Sequence, residues 1–326
     1  MFPGANDRRD LGDRGAESVG ASATEAGTTD SGAADDNETV DDTTADATRD
    51  DETADAAAPA YVIVGAPLDA STTFQPGARF GPRRVRHFAT TFDDYDGRTG
   101  QHFSTLDVVD DGDLHAWDDV VEYLDFLEGM LRDVVWDEAL PLTIGGEHTV
   151  SLAGVRATDP DLFVCLDAHL DLRNTYDGNP LSHACVTRRI LDDEGDGDAD
   201  VGVEEAIVLG ARTGSREEWK RAEAPDVTVV PPEDVADFDM AEAIADRDVY
   251  LSVDVDGADP GFAPGTGTME PFGLTPREMR DVVRTVAPQA IGFDVVEVND
   301  RDDGQAAALA GKLLREFVYE HASTDR

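Results

Sequence analysis

The sequence predicts an α/β domain built on a mainly parallel sheet of about eight strands, with helices covering both faces. Three observations predict it. Short runs rich in Val, Ile and Leu recur from residue 61 onward. Stretches with helical periodicity separate them. Charged residues gather directly after several of the apolar runs, where parallel sheets hold their ligands.

The elements follow in order. YVIVGAP (61–67) predicts the first strand, with a helix over 80–90. STLDVVDDG (104–112) predicts a second, less apolar strand, with a helix over 116–137. LPLTIGG (140–146) and a helix over 149–157 come next, then DLFVCLDA (161–168) and a helix over 183–192. EAIVLGA (205–211), VTVVP (227–231), DVYLSVDVD (248–256) and AIGFDVVEV (290–298) predict the remaining strands. Helices are predicted over 215–222, 235–246, 275–286 and 305–320. Residues 59–326 are about the length of one such domain. Residues 1–58 are assigned to an acidic arm, because 7–58 is Ala, Asp, Thr, Gly and Glu without apolar periodicity and cannot offset its ordering entropy. DDEGDGDADVGVEE (192–205) reads as a surface loop.

Composition excludes several roles. Asp and Glu number 71 against 26 Lys and Arg, for a net charge of −45, and the only lysines are Lys220 and Lys312. Nucleic acid and anionic membranes attract clustered basic residues, so neither is an expected partner. Self-repulsion at this charge is tolerable where salt screens it, which predicts a protein of a high-salt cytoplasm, from a halophile. Two cysteines, Cys165 and Cys185, are too few for a disulfide framework and read as small buried hydrophobes. No apolar run reaches the ~20 residues of a membrane span, and no apolar signal region opens the chain, so a cytoplasmic location is expected.

Four segments carry the chemistry. TIGGEHTV presents His148 after a strand. CLDAHLD offers Asp167, His169 and Asp171; LSVDVDGADP offers Asp254 and Asp256; GFDVVEVND offers Asp294 and Glu297. Side chains at i, i+2 and i+4 of an extended segment share a face, so Asp167, His169 and Asp171 are expected to point one way, as are Asp254 and Asp256. Converging carboxylates raise one another's pKa or repel unless cations neutralise them, and no basic residue interrupts these runs. A metal cluster is the economical solution. Carboxylates with imidazoles and no thiolate suit Mn²⁺, then Fe²⁺, Co²⁺ or Zn²⁺. The donors are too many for one four-coordinate zinc and suit two ions about 3.5–4 Å apart, which lower the pKa of a shared water. His87, His102, His115 and His321 read as surface or core histidines.

These motifs, in this order and spacing, resemble the ureohydrolase family, which includes arginase and agmatinase. STTFQPGARFGPRRVR (71–86) and FAPGTGTMEPFGLTPRE (262–278) resemble its agmatinase branch. The resemblance spans about 60–322. It implies a three-layer α/β/α fold, shared with deacetylases, and two Mn²⁺ per subunit. It implies that His148 and Asp171 hold one ion, His169 and Asp256 the other, and that Asp167 and Asp254 bridge. It also implies that Glu297 receives the guanidinium, that His183 in PLSHACVTRR transfers a proton, and that the subunits form trimers or hexamers. The chain departs from the family at Glu147 and Thr149, neither an implied ligand, at SHACV, which bears on the placement of His183, and at EVND, which touches loop geometry and not chemistry.

A guanidinium is a poor electrophile, and its hydrolysis needs an activated water held close and a proton for the leaving amine. Imidazole near neutral pKa can supply the proton, and a carboxylate can fix the planar cation. Asp171, beside the ions, could accept a hydrogen bond from the amino groups of the intermediate. The expected reaction cleaves agmatine to urea and putrescine, a step of polyamine synthesis. Guanidinobutyrate, aminopropylagmatine and arginine are the alternatives. RNTYDGNPLS (173–182) is expected to line the tail pocket with Arg173 and Asp177. A single-zinc deacetylase-like hydrolase and a non-enzymatic regulator are the readings from other classes.

Overall fold

The computed structural model describes residues 1–7, 60–115, 119–192 and 203–324. Eleven strands are defined among them. Nine form one parallel sheet: β1 (Asn6–Asp7), β2 (Tyr61–Ala66), β5 (Val108–Asp113), β6 (Leu140–Gly145), β7 (Leu162–Leu166), β8 (Glu205–Leu209), β9 (Val227–Val230), β10 (Val249–Asp254) and β11 (Ala290–Val296). The others, β3 (Tyr95–Asp96) and β4 (Gln101–His102), pair antiparallel. All eight predicted strands are present. The order in the sheet is β1-β5-β2-β6-β11-β10-β7-β8-β9.

That order opens the site. β6 and β7 are successive in the chain, yet β11 and β10 lie between them in the sheet. The carboxyl ends of these four neighbours therefore meet at one place.

The helices are α1 (Gly81–Ala89), α2 (Val120–Trp136), α3 (Ser151–Thr158), α4 (Val186–Asp192), α5 (Arg216–Arg221), α6 (Met240–Ile244), α7 (Pro276–Val286) and α8 (Gln305–Thr324). Asp119 caps α2, and capping boxes open α5 (Ser215 with Glu218) and α7 (Thr275 with Glu278), satisfying amides that the first turn leaves free. Two layers sandwich the sheet. On one face Val85, Met279, Val283, Leu313 and Phe317 of α1, α7 and α8 pack on Ile63, Leu142, Val164, Leu251 and Phe293. On the other, Tyr123, Leu127, Leu131 and Leu152 of α2 and α3 pack on Val62, Val64 and Phe163. Each buried side chain of this size contributes roughly 1.5–3 kcal/mol. The alternation along each strand assigns neighbours to opposite layers.

The structure departs from expectation in three places. Residues 232–237 form a 3₁₀ turn, so only Met240–Ile244 of the predicted 235–246 helix is α-helical. The second strand starts at Val108, since 103–105 is a 3₁₀ turn. Residues 1–7, assigned to the arm, instead join the domain: Phe2 is fully buried against Phe103, and Asn6 pairs beside Val109. Residues 8–59, and 193–202 of the acidic loop, lie outside the described residues. No described helix is long and apolar enough to cross a membrane.

Candidate functional site

After β6 the chain passes Gly146, where a Cβ would overlap the Leu68 backbone, so only glycine permits the turn that presents His148. The His148 ring is fully buried. Its Nδ1 lies 3.0 Å from Asp171 Oδ2, 3.1 Å from Asp167 Oδ2 and 3.6 Å from Asp254 Oδ2. Its Nε2 faces the other way, 3.1 Å from Ser252 Oγ. Ser252 donates to Asp294 Oδ1 at 2.6 Å, and the Tyr250 hydroxyl donates to Asp294 Oδ2 at 2.8 Å. This buried chain fixes the ring. Ser252 was not singled out in the sequence, although a polar residue within an otherwise apolar strand was a usable signal.

Asp167, His169 and Asp171 meet the cluster by a different route from the expected one. β7 ends at Leu166, and Asp171 sits in the left-handed region with φ 51°. The chain bends at Ala168, while His169 still bridges to Thr213. The His169 N–H donates to Asp167 Oδ1 at 2.7 Å. Asp254 is the last residue of β10, whereas Asp256 lies on a 3₁₀ turn whose N–H donates to Asp254 Oδ1 at 2.8 Å. His169 Nδ1 stands 3.1 Å from Asp256 Oδ2 and 3.5 Å from Asp167 Oδ1. Asp167 is thus shared between the His148 and His169 groups.

The buried carboxylates and imidazoles shift one another. Burial, then the charges of Asp256 and Asp167, hold the Asp254 carboxyl well above its ordinary range. Burial and Asp167 push Asp171 up to about 6. Burial opposes charging of His148, but Cys165, Asp167 and Asp171 outweigh it and raise the imidazole well above its usual value. A buried set of carboxylates and imidazoles in such contact can hold metal ions. Among the described residues two groups can share an ion: Asp167, His169 and Asp256, and also His148, Cys165 and Asp167. For the second we favour the carboxylates over Cys165. The Cys165 sulfur is on the Nε2 side of His148, 3.7 Å away, and burial lifts its thiol to about 12, so it is a poor thiolate.

Glu297 and His183 stand beside this cluster. Glu297 also has positive φ, 61°, just past β11. Its Oε1 accepts the His148 N–H at 3.0 Å and lies 2.8 Å from His183 Nδ1. Its Oε2 is buried without a hydrogen-bond partner. Thr73, from the 71–86 stretch, donates its N–H to His183 Nε2 at 3.0 Å. An open cavity of about 300 Å³ leads from His169 and Asp171 outward past Arg173, Tyr176, Glu218 and Glu270. Arg173 lines it as expected. Asp177 does not: it is exposed on a turn with φ 49°.

The chain is similar to known proteins. A model of the arginase family matches residues 59–319. The N(1)-aminopropylagmatine ureohydrolase of Thermococcus kodakarensis is 35% identical over 263 residues, covering 78% of this chain and 88% of its own. The agmatinase of Bacillus cereus is 32% identical over 275 residues, covering 79% and 90%. The crystal structure of agmatine ureohydrolase of Thermoplasma volcanium superposes with a TM-score of 0.73 at 34% identity, covering 82% of this chain and 91% of its own. The family model over most of the chain, the relatives at this identity and the shared fold show that the chain belongs to the arginase family.

Proposed function

We propose that this protein hydrolyses the guanidino group of agmatine, releasing urea and putrescine, with two Mn²⁺ held at the strand ends. The observation that carries the reading is the unpartnered Glu297 Oε2 beside the His148 and Asp171 carboxylate cluster. A buried carboxylate oxygen left without a donor costs about 1–3 kcal/mol or more, which a bound cation recovers. A planar guanidinium is the cation whose N–H groups fit it.

His148 and Asp171 would hold one ion and His169 and Asp256 the other, with Asp167 and Asp254 completing the donor set. Their hard oxygen and imidazole donors fit manganese. Ions bound there supply an activated water and offset developing negative charge. Glu297 orients the guanidinium so that its carbon faces the cluster. Asp171 would accept a hydrogen bond from an amino group of the reacting guanidine. His183, 2.8 Å from Glu297, delivers a proton to the leaving amine. One water enters, the carbon–nitrogen bond to the tail breaks, and the tail leaves as an amine.

The cavity charges favour a cationic tail. Arg173 is already engaged: its Nε lies 3.2 Å from the buried Glu218, and its guanidinium lies over Tyr176, 5.4 Å from the ring centre. It is poorly placed to receive a substrate carboxylate. Glu270 adds a negative charge to the same wall. A second reading, aminopropylagmatine, is suggested by the 35% identical relative of that name and by a neighbouring cavity of about 260 Å³ that shares Arg173 and Ser215 with the first. The test is urea release in high KCl with Mn²⁺, from agmatine, aminopropylagmatine, arginine and guanidinobutyrate in parallel. Urea from a cation-tailed compound, with two manganese per chain, is expected. No urea from any of them with manganese bound would overturn the reading.

A further inference from the structure

We infer that Glu147 is a positioning residue for proton transfer: through Ser71 it holds the segment that clamps His183. The inference rests on the proton-transfer reading of His183.

The geometry is specific. Glu147 is fully buried, yet it turns its carboxylate toward the 71–73 segment. Oε1 accepts the Ser71 hydroxyl at 2.7 Å, and Oε2 accepts the Ser71 N–H at 2.8 Å. The same Ser71 oxygen accepts the His183 N–H at 2.9 Å. Two residues on, the Thr73 N–H donates to His183 Nε2, and Thr73 Oγ1 lies 3.0 Å from that nitrogen. One short segment therefore grips the histidine at its backbone and at its ring. In the neutral ring the Thr73 N–H meets an unprotonated Nε2 and the proton sits on Nδ1, toward Glu297; in the charged ring the Thr73 hydroxyl oxygen is the acceptor within reach of Nε2. Burying a carboxylate is costly unless donors satisfy it. Here both oxygens are bound by Ser71, and aspartate, one carbon shorter, would not span the same gap.

The experiment compares the full-length manganese-loaded wild type with Glu147→Gln, Glu147→Asp, Ser71→Ala and the Glu147→Gln/Ser71→Ala double variant. Ser71→Ala keeps the inference testable if substitution next to His148 disturbs folding. Each single variant is expected to lose about 10- to 100-fold in kcat, with KM within about threefold and two metals per chain retained. The double variant is expected to be no worse than the worse single one, since both break the same chain. Unchanged kcat in Ser71→Ala, losses that multiply in the double variant, or kcat falling in step with metal content would each overturn the inference. A wild type that releases no urea from any guanidino compound sinks the proposed function itself and is recognised separately.

Discussion

At the scale of single residues, His183 is held by two opposing demands. Burial disfavours its charge, but Glu297 at 2.8 Å outweighs that and lifts the imidazole to about 9. Glu297 moves the other way: burial raises its carboxyl, and the His183 charge brings it below its usual value. The Thr73 N–H, aimed at Nε2, pulls against protonation of the same ring. The balance is measurable through stability. A histidine whose folded pKa lies above its ordinary 6.5 binds its proton more tightly when folded. Its contribution is complete below about 6.5 and is lost as pH rises through about 9. The melting temperature of the substrate-free protein is therefore expected to fall between pH 6.5 and 9, and to fall less in His183→Asn. A wild-type profile that is flat or rising across that window would contradict the ion pair.

At the scale of elements, the strand ends do the assembling. The residues of the cluster were legible because Asp, His and Asp follow apolar runs, a combination that buried β-strands do not otherwise carry. The mechanism that gathers them was not legible, because two positive-φ residues and a 3₁₀ turn replace the extended geometry that spacing suggests. Asp and Glu in the left-handed region give no local sign, since either is common in any loop. The contact joining Ser71, Thr73, Glu147 and His183 was not legible for a related reason: a clamp between residues 76 and 112 positions apart has no short-range pattern. One positive-φ position has no such purpose in its contacts. Phe272, at φ 69°, is 87% exposed, on a loop whose Phe272 and Gly273 amides bind Asp259. A bulky side chain there costs on the order of 1–2 kcal/mol. Phe272→Gly relieves it while adding freedom to the unfolded chain, for a net gain of roughly 0.5 kcal/mol. A melting temperature higher by about 1–2 °C is expected from calorimetry. A lower one would mean that the exposed ring makes stabilising contacts in solution.

At the scale of the whole molecule, the opposing facts are a fully closed α/β/α core and a net charge of −45. The core was legible because both faces of each central strand are apolar, so every strand reads as a run. The role of residues 1–7 was not, because a two-residue strand and one phenylalanine are below any periodicity signal; Arg315, which donates to the Pro3 carbonyl at 2.6 Å, adds to what Phe2 and Asn6 hold. Charge acts against this closed form, because folding brings the carboxylates together. Salt weakens that repulsion: the Debye length falls from about 10 Å at 0.1 M to about 3 Å at 1 M. Most of the screening is therefore complete by about 1 M. Exclusion of salt from the surface, which also favours compact states, keeps growing with concentration. The two are separable by shape. The melting temperature is expected to rise steeply between 0.1 and 1 M KCl and then to bend toward a plateau. A straight rise up to 3 M would assign the salt effect to surface exclusion, and no rise at all would remove the reading of this acidity as an adaptation to a high-salt cytoplasm.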